Sequence, residues 1–298
     1  MPDRDIFAGV HAVLYALFRN DETLDPGAMD AEVAWCREQG VHGITVLGLA
    51  TEGPKLSLAE KIWLIERVAR ANGGRLPFSV TTAGNSVAEQ IEVVRAAEAA
   101  GADWLILQPP TVGAYGADVY LDFFARVAAA TTLPVALQNA PQYLGRSLSG
   151  EDIARLGARA ANVVAVKSEE AALGVRRIVE LAGSDFHVLG GRGGLEMTDG
   201  LRSGCEGFVL APDIAPVAAR IFDLWRAGDE AAAEALYARA VPAITFAMQS
   251  LEHLITYGKR MFAAQAGLTV HDRAPFVAPS DFGLSLADRW ARHLGRLP

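Results

Sequence analysis

Only four of the 27 basic residues are lysines: Lys55, Lys61, Lys167 and Lys259. An amine that condenses with a ketone forms a Schiff base, which then acts as an electron sink. Lys167 is placed for that chemistry. It follows Val163-Val164-Ala165-Val166, an apolar run of strand type, so its nitrogen emerges where a buried strand ends. An ordinary lysine with a pKa near 10.4 is only ~0.04% neutral at pH 7. Loss of hydration disfavours the charged form of such a group and frees the amine as a nucleophile. The competing reading is a strand-end lysine that merely pairs with Glu169 or Glu170. Lys55 and Lys61 fit exposed helix approaches, and Lys259 falls in a helical tail.

The elements that must position this amine are legible as short apolar runs alternating with amphipathic ones. Strand-type runs cover 9–17, 43–48, 76–82, 104–108, 134–138, 163–167, 186–190 and 207–210. Each is rich in Val, Ile, Leu or Phe and bounded by Gly, Pro or polar residues. Helical stretches cover 57–72, 86–100, 117–130, 149–159 and 169–182. Ser57 with Glu60, and Ser86 with Glu89, have capping-box spacing. Helices closing on glycine before a strand, as at Gly40, Gly101 and Gly204, mark αβ turns. Continuous apolar strands imply a parallel sheet covered on both faces. Eight of them alternating with helices predict an α/β fold, a (β/α)8 TIM barrel. A doubly wound sheet would open on a GxGxxG turn, and none is found. The strands stop near residue 213, and 214–227, 230–250 and 251–266 read as helices. The expected organisation is a barrel over 1–228 and a C-terminal helical extension over 229–298.

Composition narrows the function. The chain has 298 residues, 51% hydrophobic and 21% charged, with a net charge of −8. This is the profile of a folded enzyme, not of a disordered chain. Without a basic cluster a nucleic-acid partner is not expected. No apolar run approaches the ~18 residues of a membrane span. The first five residues lack the order of a secretory signal, so a cytoplasmic location is expected. Cys36 and Cys205 build no disulfide framework, and the six histidines show no ligand spacing; neither metal nor cofactor is expected.

In a barrel of this kind the chemistry sits at the C-terminal ends of the strands. The corresponding segments are Gly48-Leu49-Ala50-Thr51-Glu52, Gln138-Asn139-Ala140-Pro141, Val166-Lys167-Ser168-Glu169 and Gly190-Gly191-Arg192-Gly193-Gly194. The first three, by their order and spacing, resemble those of the dihydrodipicolinate synthase/N-acetylneuraminate lyase family. The likeness covers nearly the whole chain, including the Gly101-Ala102-Asp103 turn and the helical tail. It implies a (β/α)8 barrel that assembles as a homo-oligomer, a dimer or tetramer. It also implies a lysine, here Lys167, that forms a Schiff base with pyruvate or another 2-oxo acid. It further implies substrate contacts at Gly191 and Val209. Glu52 is read as ordering its loop from inside. Arg192 is a candidate for the far end of the substrate, against a plain surface arginine.

The departures matter as much. The family loop reads Gly-Thr-Thr-Gly-Glu; here Leu49 and Ala50 replace the threonines, with Thr51 one place later. Backbone N–H groups of Ala50 and Thr51 remain to bind the substrate carboxylate. Gln138 stands where the family carries its proton-shuttling tyrosine, and Tyr143 where an arginine is expected. An amide does not titrate usefully, whereas aldol chemistry needs a group that exchanges a proton with the substrate hydroxyl. The Gln-Asn-Ala-Pro segment also resembles the Gln-Asp-Ala-Pro of the 2-keto-3-deoxyarabonate dehydratase branch. The first expectation is therefore a dehydratase acting on a 2-keto-3-deoxy sugar acid through Lys167, with Gln138 and Tyr143 beside it. The alternatives are an aldolase or a dihydrodipicolinate synthase-like condensation using Tyr143 or Tyr115, and a catalytically silent member that only binds a 2-oxo acid.

Overall fold

Glycine-ended helices feeding short apolar strands close into a parallel barrel in the computed structural model, which describes residues 6–183 and 186–297. The N-terminal residues 1–5, read above for a signal, lie outside it. The strands are β1 (Gly9–Val13), β2 (Gly43–Val46), β3 (Phe78–Thr82), β4 (Trp104–Leu107), β5 (Val135–Asn139), β6 (Val163–Ser168), β7 (His187–Gly190) and β8 (Gly207–Leu210). Each pairs in parallel with the next, and β8 pairs with β1. This is the predicted (β/α)8 architecture.

Helices α1 (Pro26–Glu38), α2 (Leu58–Asn72), α3 (Val87–Ala99) and α4 (Ala117–Ala128) cover the first half. The short α5 (Pro141–Leu144), then α6 (Gly150–Arg159), α7 (Ala172–Ala182), α8 (Met197–Ser203) and α9 (Ala215–Arg226) complete the ring. The Ser57–Glu60 capping box forms in full at the start of α2. At α3 only half of it does: Ser86 accepts from the Glu89 N–H, but the Glu89 carboxylate accepts from Asn85 instead.

Several boundaries differ from the sequence reading, three of them most. The first strand ends at Val13, because Tyr15 donates its N–H to the Glu32 carboxylate at 2.8 Å rather than to a neighbouring strand. The seventh helix begins at Ala172, not 169. Glu169 stays in the sheet's path, its N–H donating to the Asn139 carbonyl at 2.9 Å. In the tail, α10 (Glu230–Ala247) is followed by α11 (Leu251–His253), a π-helical turn (Leu254–Gly258) and α12 (Lys259–Ala266) in place of one helix. The final helix is α13 (Asp281–Leu294).

Three lysines are more buried than the sequence suggests; the Lys55 side chain is only 16% exposed. Lys61 is buried and lies 3.5 Å from the Glu89 carboxylate. Lys259, at the start of α12, is fully buried; it donates to the Ala16 carbonyl at 3.1 Å and pairs with Glu52. Lys55 holds the other oxygen of Glu52 at 2.5 Å. Burial pulls the Lys259 ammonium below its ordinary pKa, and the Glu52 charge opposes that pull. Glu52 thus ties the loop after β2 to the tail, in keeping with a loop-ordering role.

Breaking a buried ion pair leaves an uncompensated charge and typically costs 3–5 kcal/mol. Lys259→Met is therefore expected to lower unfolding free energy by about 3 kcal/mol, with Lys55 retaining part of the compensation. Chemical denaturation checks this, and a loss below about 1 kcal/mol would show that the pair does not hold the tail.

Candidate active site

β5 and β6 pair so that Gln138 lies opposite Lys167 and Asn139 opposite Ser168. That register brings the two side chains to the same height at the mouth of the barrel. Lys167 is 4% exposed and lines a narrow cleft at the barrel mouth. Among the four lysines, Lys167 alone lines it. Its Nζ donates to Glu169 Oε1 at 2.5 Å and to Gln138 Oε1 at 3.3 Å.

Glu169 is the hub of the site. Besides the amine, its Oε1 accepts from Gln138 Nε2 at 3.2 Å, and its Oε2 accepts from the backbone N–H of Arg192. The residue is 4% exposed and lines the same cleft. The nitrogen is paired with Glu169, and the pair together faces the cavity. Gln138, an amide that does not exchange protons usefully, bonds both partners and fixes their geometry.

Tyr143, on α5, also lines the cleft. Burial first, and the Glu169 charge second, push its phenol up to about 12. At neutral pH it is a hydrogen-bond donor and not a base. Tyr115 is 52% exposed and is not among the lining residues, so it does not stand in for the missing tyrosine.

The remaining sequence candidates separate clearly. Ala50 and Val209 line the cleft. Thr51 does not: its hydroxyl donates to the Leu14 carbonyl at 2.6 Å and its N–H to the Gly48 carbonyl at 2.9 Å. Its hydroxyl and its N–H both serve the loop, so of the two expected backbone donors only Ala50 lines the cleft. Arg192 turns its guanidinium to Glu196 at 2.5 Å; its contribution to the site is the N–H on Glu169. Gly191 acts through space. A Cβ there would lie 2.3 Å from Glu169 Oε2.

The sequence reading treated Glu169 only as a partner that would silence the lysine and missed its place in the cleft, bonded also to Gln138 and the Arg192 N–H. It also missed Met248, Leu251 and Leu254, which reach from the tail to line the cleft. Their spacing gave no sign of which face met the barrel. Among the described residues, no three His, Cys, Asp or Glu side chains gather as metal ligands, and no helix is long and apolar enough to cross a membrane.

The Gly191 geometry yields a direct prediction. The Gly191 backbone (φ −137°, ψ −125°) lies outside the regions an L-residue adopts without strain, and a Cβ there would displace the carboxylate of Glu169. Gly191→Ala is expected to cost about 1–3 kcal/mol of stability while moving the carboxylate off the amine. Turnover should fall by about 100-fold, read as kcat beside a thermal melt. Unchanged kcat would show that the position of Glu169 does not matter.

Comparison with known proteins gives a consistent result. The sequence profile of the dihydrodipicolinate synthetase family matches residues 6–281. A 4-hydroxy-tetrahydrodipicolinate synthase from Stenotrophomonas maltophilia is 32% identical over 79% of this chain and 80% of its own. The probable 2-dehydro-3-deoxy-D-pentonate aldolase YjhH of Escherichia coli is 27% identical over 77% and 78%. The match to the Bacillus subtilis 4-hydroxy-tetrahydrodipicolinate synthase, at 31% identity, spans 64% of that protein, a little under two thirds. Among solved structures, Escherichia coli YagE in complex with pyruvate superposes with a TM-score of 0.89 at 22% identity, covering 98% of this chain and 99% of that one. On the extent of the profile match, the chain belongs to the dihydrodipicolinate synthetase family.

Proposed function

We propose that this protein is a Schiff-base lyase of 4-hydroxy-2-oxo acids, with Lys167 as the imine-forming residue and Glu169 as its proton carrier. The observation that carries the reading is the contact between Lys167 Nζ and Glu169 Oε1, 2.5 Å apart in a lined, buried mouth. The relatives named as aldolases and synthases support a lyase in general terms.

The chemistry follows from the geometry. Glu169 takes the ammonium proton and the freed amine adds to C2 of the substrate. Glu169 returns that proton to the carbinolamine hydroxyl, which leaves as water, giving a protonated imine. The carboxylate then accepts the C4 hydroxyl proton while the C3–C4 bond breaks. The bonding pair moves through C3 to the imine nitrogen, so an aldehyde departs and an enamine remains. Protonation of C3 by Glu169, followed by hydrolysis, releases pyruvate and the lysine.

Carbon–carbon cleavage therefore becomes the first reading. The sequence-based preference for a dehydratase rested on the lack of a titrating group at Gln138, and Glu169 supplies one within reach of the amine. Dehydration is the second reading, favoured by that same glutamine. In it Glu169 removes a C3 proton from the imine and delivers it to the departing C4 hydroxyl. Because the family pattern is a homo-oligomer, assembly of this chain with copies of itself belongs to the same proposal.

A panel of 4-hydroxy-2-oxo acids, including 2-keto-3-deoxy-pentonates, separates the readings. Pyruvate release in a coupled assay is the expected result; a semialdehyde without pyruvate would establish the dehydratase. Lys167→Arg should remove activity entirely, and Glu169→Gln should lower kcat by about 100- to 10,000-fold. Turnover that survives in Lys167→Arg would overturn the proposal.

A further inference from the structure

Beyond its reacting groups, the cleft is walled by hydrocarbon. Leu49 comes from the loop after β2, Val13 and Val209 from the barrel, and Met248, Leu251 and Leu254 from the tail. The polar side chains that line it are Lys167, Glu169 and Tyr143, all gathered at the reacting end. Arg192 is not among the residues that line it, and its guanidinium is turned to Glu196. We propose that the substrate's tail beyond C4 is an apolar alkyl or aryl group, not the hydroxylated chain of a sugar acid. The proposal rests on the Schiff-base reading above.

The physical reason is hydrogen bonding. A hydroxyl buried against leucine and methionine loses its water partners and gains none, so each one in the tail weakens binding. Each buried methylene strengthens it, by about fourfold. The apolar surface also continues outward. Leu49 and Leu251 border a second groove, shared with Ile255, Pro275, Phe276 and Val277, the last two about half exposed. A tail longer than the cleft would pass over Leu49 and Leu251 into that groove.

The experiment reads imine formation, so it does not depend on which bond is later broken. The protein is mixed with equal concentrations of 2-oxo-4-phenylbutanoate and 5,6-dihydroxy-2-oxohexanoate, neither of which carries a C4 hydroxyl and so neither of which can be cleaved or dehydrated, and reduced with borohydride. The two adducts on Lys167 are then quantified by mass spectrometry, with pyruvate trapped in a parallel sample. The phenyl adduct is expected to dominate by at least about tenfold. Leu251→Gln should reduce that ratio by about fivefold or more, which cancels the intrinsic reactivity of the two ketones. Met248→Gln, at a partly exposed position, serves if a Leu251→Gln preparation traps no pyruvate. A ratio near or below one, or one unchanged by these substitutions, overturns the inference while leaving the lyase intact. No pyruvate adduct in the unaltered protein would bring down the lyase reading itself.

Discussion

A charged amine and a carboxylate placed together away from water are costly to desolvate, and they persist only when their remaining bonds are satisfied. Lys167 and Glu169 meet that condition at the mouth of the barrel. Gln138 bonds both, and the Arg192 N–H caps the far oxygen of the carboxylate. The close approach of the loop at Gly191 is possible because no Cβ stands there. Take away any one of these supports and the carboxylate has no fixed address. The chemistry proposed for the site needs that address more than it needs any particular strength of the pair.

The rest of the molecule serves to hold and enclose this contact. The β5–β6 register sets Gln138 beside Lys167, and the continued pairing of Glu169 with Asn139 keeps the carboxylate at the strand end. The tail closes the opposite wall with Met248, Leu251 and Leu254. It is anchored by Lys259 on Glu52, whose loop also contributes Leu49 and Ala50 to the cleft. Barrel and tail are therefore coupled through the same loop that would bind the substrate's carboxylate.

Much of this was legible in the chain. Alternation of apolar runs with glycine-punctuated helices indicates a closed parallel barrel, because period and turn chemistry are local properties. The scarcity of lysine isolates Lys167, since only one of the four follows an apolar strand. What escaped depends on contacts between distant segments. Glu169 lies two residues past Lys167, where helical spacing places it on the following helix; the Asn139 carbonyl and the Arg192 N–H hold it in the mouth instead. Thr51 looked available for substrate until the Leu14 carbonyl took its hydroxyl. Lys259 gave no sign of being buried because its partner, Glu52, is 207 residues away in sequence. The hydrocarbon wall from the tail was hidden for the same reason.

The most direct measurement is carbon-13 NMR of pyruvate labelled at C2, added to the native protein without any reductant. An imine at Lys167 gives a new carbon signal, distinct from the free ketone and its hydrate, that vanishes in Lys167→Ala. Ketone and hydrate signals alone, at protein concentrations in excess of pyruvate, would contradict the account at its root.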